Sequence, residues 1–108
     1  MVTEVMSKSP SDIKNIDKLI HEPNRLMIMA QLYVVESADF LFLQNQLKMT
    51  PGNLSSHLSK LEDAGYVEIV KEFIERKPHT ALKLTEQGQH AFKEYKDNLK
   101  RVLDGLPK

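Results

Sequence analysis

The residues best suited to chemistry lie in one stretch near the middle of the chain, Thr50-Pro51-Gly52-Asn53-Leu54-Ser55-Ser56-His57-Leu58-Ser59-Lys60. Asn53 can form two hydrogen bonds to an adenine edge, and Lys60 can contact a phosphate or a guanine. Ser55, Ser56 and Ser59 are small enough for close approach, and their hydroxyls can bond to base edges or phosphates. The chemistry that this pattern indicates is hydrogen bonding to a duplex.

Catalysis and metal binding find no support in the sequence. The chain has no cysteine, which excludes disulfides, thiol redox sensing and cysteine-ligated zinc. There is no glycine-rich phosphate loop, and no serine has an identifiable base. The four histidines show no metal-ligand spacing: His21, His57, His79 and His90. We therefore expect a protein that is not an enzyme and that needs no metal or cofactor.

Length and composition are those of one globular domain. The chain has 108 residues, of which 41% are hydrophobic and 28% charged. No apolar run approaches the roughly 18 residues of a membrane span, and no signal sequence begins the chain, so we predict a cytoplasmic protein without a membrane partner. Fifteen basic residues balance fifteen acidic ones, whereas dedicated nucleic-acid binders are usually basic. Any basic binding surface must therefore be local.

The polar stretch begins a well-marked helix, predicted over residues 50–64. Thr50 is a typical cap, and Pro51 suits the first helical position because its missing N–H costs nothing there. Gly65 is the expected left-handed terminator. Three leucines form the buried stripe and leave the polar residues outside: Leu54, Leu58 and Leu61. His57 lies beside the stripe, so either backbone contact or half burial is open to it, and we favour half burial.

Three helices are predicted before this one, after a flexible arm at residues 1–11. The first carries apolar residues at helical spacing: Ile13, Ile16, Leu19 and Ile20. The second begins at Pro23, which suits a first turn. The third is capped within residues 37–39 and ends near Lys48, with Phe40, Leu43 and Leu47 on one stripe.

After the polar helix the hydrophobic period changes toward two, which predicts a β-hairpin over about residues 66–84 with a polar tip from Glu72 to Pro78. A last helix follows from Thr85 to about residue 105. The third and fourth helices are separated by about three residues, so residues from about 39 to 64 read as a helix-turn-helix, and the hairpin reads as its wing. The predicted fold class is mainly α with a small β-hairpin, α+β, within an ordered domain of residues 12–108.

The predicted wing has mixed charge. Four basic residues flank the predicted turn and could lie along phosphates: Lys71, Arg76, Lys77 and His79. Arg76 could instead enter a minor groove. Three glutamates alternate with the basic residues of the wing: Glu68, Glu72 and Glu75. The alternative is therefore a solvated hairpin that does not contact DNA. The helix predicted over residues 50–64 is narrow enough to enter a major groove, which is about 12 Å wide.

Two segments resemble those of small prokaryotic winged helix-turn-helix transcriptional regulators of the MarR/ArsR-like superfamily. They are Asn53-Leu54-Ser55-Ser56-His57-Leu58, continued by Leu61-Glu62-Asp63-Ala64-Gly65-Tyr66-Val67, and Leu82-Lys83-Leu84-Thr85-Glu86-Gln87-Gly88. The resemblance implies homodimers on pseudo-palindromic operators. Metal-ligand sets of metal-responsive members and the Asp-x-Arg core of MarR wings are absent. The predicted DNA contacts are Thr50, Gly52, Asn53, Ser55, Ser56, His57, Ser59, Lys60, Arg76 and Lys77.

The last helix repeats apolar residues at intervals of three and four, the seam of a coiled coil. Such a stripe packs on its own domain or on a partner, and we favour a partner because the first helix supplies a second stripe. The predicted dimerisation residues are Ile13, Ile16, Ile20, Phe92, Tyr95, Leu99, Val102 and Leu106.

Two further questions stay open at this level. An unknown small-molecule effector would sit between the dimer helices and the DNA-binding lobe, although core packing is the favoured role for the side chains there: Met27, Met29, Tyr33, Phe40, Phe42 and Tyr95. The alternative function is a winged-helix module that binds protein and has no sequence-specific DNA contact, for which neutral charge is expected.

Overall fold

The computed structural model describes residues 14–107. Within them it has four helices and three strands: α1 (Pro23–Tyr33), β1 (Ala38–Asp39), α2 (Phe40–Leu47), α3 (Pro51–Asp63), β2 (Val67–Ile74), β3 (Lys77–Leu84) and α4 (Glu86–Asp104). The strands form one antiparallel sheet in the order β1-β3-β2. The predicted α+β class, mainly helical with a hairpin, is confirmed.

Helix starts follow the predicted caps. The Thr50 hydroxyl accepts a hydrogen bond from the backbone N–H of Asn53 at 3.1 Å, and α3 begins at the next residue. Asp39 caps α2, and Thr85 caps α4 in the same way. Gly65 has a φ of 82°, the left-handed value expected after α3. The start of each helix is set locally, because the capping side chain and its backbone partner are at most three residues apart.

The predicted first helix is wrong over residues 15–22, which form turns. The Asp17 carboxylate accepts hydrogen bonds from the backbone N–H groups of Leu19 at 2.9 Å and Ile20 at 3.2 Å. An aspartate that bonds to its own following backbone competes with a helix, and here it prevails. Ile13 and the predicted arm at residues 1–11 lie outside the described residues.

The hairpin spans the predicted residues, but its strands are longer and its turn is tighter than predicted. The β2–β3 ladder runs from Val67 opposite Leu84 to Ile74 opposite Lys77, so only Glu75 and Arg76 form the turn. Both turn residues have positive φ, 52° and 68°, which matches the right-handed twist of the strands. The polar tip predicted from Glu72 to Pro78 is therefore mostly strand. β1 was not predicted, and it forms because a two-residue segment pairs with β3.

The core lies between α1, α2, α3, the base of the hairpin and the first half of α4. Three residues predicted for dimerisation belong to it: Ile20, Phe92 and Tyr95 are 0%, 5% and 2% exposed. This corrects their assignment, because an apolar stripe shows that a face is covered without showing by what. Within residues 14–107, each helix is too short or too polar to cross a membrane.

Candidate nucleic-acid interface

One side of α3 is held in the core and the other faces solvent. Leu54, Leu58 and Leu61 are 0%, 1% and 0% exposed. Seven of the ten predicted DNA contacts lie on the cap and outer side of α3 and are exposed: Thr50, Gly52, Asn53, Ser55, Ser56, Ser59 and Lys60. The structure therefore brings these residues together on one accessible, mostly uncharged helix face.

His57 is an exception, because its ring is half-buried against α1. Its Nδ1 lies 3.2 Å from the Arg25 guanidinium, and its Nε2 lies 3.3 Å from the Asn24 side-chain amide. The Glu22 carboxylate, which caps α1, is 3.9 Å from Nδ1. Desolvation raises the pKa of Glu22, but the Arg25 backbone N–H, His57 and the Arg25 charge outweigh it and lower that pKa. The ring fastens α3 to α1, in agreement with the favoured half burial.

The wing, here the β2–β3 hairpin, has two chemically different sides. Because side chains alternate along a strand, residues two apart share a side. The α3-facing side comprises Val67, Ile69, Lys71 and Phe73, paired in register with Leu84, Leu82, Thr80 and Pro78. The opposite side comprises Glu68, Val70, Glu72 and Ile74, paired with Lys83, Ala81, His79 and Lys77. Both strand glutamates thus point away from α3, and Lys71 is the α3-facing charge within the ladder.

A groove of about 360 Å³ separates α3 from the wing. Its floor is apolar and its rim carries hydroxyls and one ammonium group: Phe40, Ser55, Leu58, Ser59, Ile69, Lys71 and Thr80. Lys71, considered from the sequence as a phosphate contact, lies at this groove. Its side of the wing could have been predicted from the strand period of two, had the strands been extended to their full length.

Arg76 and Lys77, the wing residues in the predicted set of DNA contacts, lie in different parts of the wing. Arg76 lies in the turn, and Lys77 lies on the side facing away from α3, opposite Ile74; both are exposed. Phe73, which sequence reasoning missed, is 77% exposed on the α3-facing side. The end of the wing is therefore part basic and part apolar.

The base of the wing is tied to α4 and to the turns before α1. The Tyr66 hydroxyl donates a hydrogen bond to the Asp17 carboxylate at 2.6 Å. Desolvation, followed by the hydrogen bond and charge of Asp17, raises the pKa of Tyr66 to about 12. Gly88 in α4 approaches so closely that a Cβ there would lie 2.0 Å from the Tyr66 carbonyl oxygen. These contacts orient the hairpin relative to the core.

The side chains considered for an effector do not converge on one cavity. Met29 and Tyr95 are 0% and 2% exposed, which confirms core packing for them, whereas Met27 and Phe42 are exposed. Phe40 lines the groove beside α3, and Tyr95 lines a separate cavity of about 220 Å³.

α3 is an exposed, capped helix that follows α2 after a tight turn, and a two-stranded wing follows α3. This arrangement defines a winged helix-turn-helix protein. Residues 24–103 match the model of the winged helix DNA-binding domain family, and the chain belongs to that family. As predicted, it is a small winged helix DNA-binding transcriptional regulator. Proteins of this family and fold are typically not enzymes.

Known proteins resemble the chain over most of its length. It is 41% identical over 78 residues to an uncharacterised protein of Methanocaldococcus jannaschii, and this match covers 72% of this chain and 85% of that protein. The structure of a transcriptional regulator homologue from Pyrococcus horikoshii is 34% identical, with a TM-score of 0.80 over 99% of this chain and 97% of that one. NadR in complex with 4-hydroxyphenylacetate shares the fold at 22% identity, with a TM-score of 0.68 over 94% of this chain and 70% of NadR.

Proposed function

We propose that the protein acts as a homodimer on pseudo-palindromic duplex DNA, with α3 in the major groove and the wing on the flanking backbone. The observation that carries this proposal is the outer face of α3. It presents Asn53, three serines and Lys60 to solvent on a helix whose three leucines are fully buried. A rigid helix with small polar side chains can approach base edges closely.

The charge distribution supports entry by the N-terminal half of α3. The backbone N–H groups of its first turn favour a nearby phosphate. The first turn of α3 carries no carboxylate, and Lys71 of the wing lines the groove beside the helix. Lys60 lies in the last turn of α3, where Glu62 and Asp63 follow it. A locally basic surface on a neutral chain predicts weak non-specific binding.

The second half of α4 supports a two-fold partner. Apolar residues in this half and just after the helix are only partly covered: Leu99 and Val102 are half-buried, while Leu103 and Leu106 are 57% and 50% exposed. Leu99 and Val102 also line an apolar cavity of about 230 Å³ with Ile16, Lys18 and His21. A dimer through this surface would place the two α3 helices about one DNA turn, roughly 34 Å, apart.

The test is selection of duplexes from a random pool, followed by binding of the winning duplex across a salt series. We expect a symmetric site, affinity that falls steeply with salt, and about a tenfold loss for Asn53→Ala or Lys60→Glu. Lys93→Glu, an equal charge change on exposed α4, is the control and should have little effect. Selection of no duplex would instead favour the protein-interaction module, for which neutral charge is expected.

A further inference from the structure

The wing carries an exposed aromatic ring that the proposed function does not yet use. Phe73 is 77% exposed and lies one residue before the end of β2. Its register partner on β3 is Pro78, which is also exposed, so the two side chains form an apolar tip on the α3-facing side. A large ring in this position contributes little to the core, and contiguous exposed apolar groups often mark a contact surface.

This tip continues the proposed DNA-binding surface. The α3-facing side of the wing runs from Ile69 through Lys71 to Phe73, and its first two members line the groove beside α3. At about 3.3 Å per strand residue, Phe73 extends roughly 13 Å beyond Ile69. With α3 in a major groove, the ring reaches the neighbouring stretch of the same duplex.

Charge along the wing favours DNA as the occupant. Glu68 and Glu72 lie on the opposite side of the ladder, and Lys71, which lines the groove, lies between Ile69 and Phe73 on the α3-facing side. The approach to the ring is therefore free of strand carboxylates, and the turn beyond it carries Glu75 beside Arg76. A positive group next to an exposed ring suits a phosphate-lined groove better than it suits another apolar surface.

We propose that Phe73, supported by Pro78, is an apolar wedge that the wing places in the minor groove beside the α3 site, where it partly unstacks one base step. This inference rests on the proposed function. Apolar wedges of this kind act at flexible pyrimidine–purine steps, where unstacking costs least. The wedge thus adds sequence preference at a position that α3 does not touch.

The experiment uses the duplex that the unmodified protein selects, with 2-aminopurine in place of adenine at successive flanking positions. The unmodified protein should raise the fluorescence at one flanking step. Phe73→Ala should abolish that rise and weaken binding about tenfold, with the same dependence of affinity on salt because no charge is removed. Phe73→Leu should restore most of the affinity. Ile74→Ala, on the opposite side of the wing, should stay within about twofold of the unmodified protein.

Three results would overturn the wedge. One is unchanged affinity and fluorescence for Phe73→Ala while Asn53→Ala still weakens binding, which leaves the proposed function intact. Another is a loss of self-association by Phe73→Ala in sedimentation, which would assign the ring to contact between copies of the chain. If the unmodified protein selects no duplex, the wedge and the proposed function fail together. Unfolding curves test whether each variant folds, which we expect for side chains this exposed.

Discussion

The recognition helix α3 and the wing both face the proposed duplex, but they are supported differently. α3 is held along its whole length by three leucines that are at most 1% exposed. The wing is buried only at its base, at Val67, Leu82 and Leu84, and residues 71–78 are all exposed. The helix thus owes its position to the core, whereas the outer wing depends on its ladder and its turn. Substitutions in α3 and in the wing should therefore differ in size and in kind.

The largest effect is expected at Leu58, the middle leucine of α3. Leu58→Ala leaves a cavity in a fully buried site and should lower the free energy of unfolding by about 3–4 kcal/mol, measured by urea denaturation. Its exposed neighbour provides the control, since Ser59→Ala should change stability by less than about 0.5 kcal/mol. Equal losses for both variants would show that α3 does not depend on the core.

Gly88 supports the base of the wing in a comparable way. A Cβ on Gly88 would meet the Tyr66 carbonyl oxygen at 2.0 Å, so Gly88→Ala should cost about 3 kcal/mol through displacement of α4 from the hairpin. Gly52→Ala is the matched control, because no atom lies within 4 Å of a Cβ there and an alanine favours a helix. We expect Gly52→Ala to fold at least as stably while weakening DNA binding, since the added methyl group faces the duplex. A Gly88→Ala variant of normal stability would contradict the close packing.

Tyr66 makes the wing base sensitive to high pH. Its pKa is about 12 in the folded chain, against about 10 when unfolded, so the fold favours the protonated phenol. The resulting stability is fully present below about pH 10 and is lost as the pH rises toward 12, by about 2 kcal/mol in total. Urea denaturation from pH 9 upward measures this loss, and Tyr66→Phe should flatten it. Retention of the full slope in Tyr66→Phe would assign the loss to other groups.

The smallest effect is expected at the turn of the wing. Glu75 and Arg76 both occupy positive φ, which costs side-chain-bearing residues more than asparagine or glycine. The double change Glu75→Asn with Arg76→Gly should raise stability by about 1 kcal/mol in thermal unfolding. Lys77→Gly, one residue into β3, is the control and should lower it. Arg76→Ala then separates the turn's geometry from a DNA contact of the arginine.

The α3 half of the site could be predicted well because its signals are local. Thr50, Pro51 and Gly65 mark its ends within a few residues, and the leucine spacing identifies the buried side. The wing was harder to predict. Its turn lacks the usual glycine or asparagine, so the charged residues 72–78 were predicted as a loop. The placement of Glu72 and Lys71 on opposite sides of the wing was therefore not predicted.

The same limit explains the corrections near the chain ends. Asp17 carries a helix-compatible pattern of neighbours, yet its carboxylate bonds to the backbone of Leu19 and Ile20 and to the hydroxyl of Tyr66, 49 positions away. The seam of α4 was read correctly as apolar, but Phe92 packs against Tyr33, with ring centroids 5.0 Å apart, inside the same chain. The hydrophobic period shows that a helix face is buried. It does not show which element packs against that face, because that element is far away in the sequence.

Caps, helix ends, the apolar stripes and the absence of thiol chemistry follow from the order of residues, because each depends on groups a few positions apart or on composition. Which face of the wing meets α3, the exposure of Phe73 and the covering of α4's first half follow from packing. They depend on strand register and on contacts between residues far apart in the chain, whose free energies are settled only when all the elements come together.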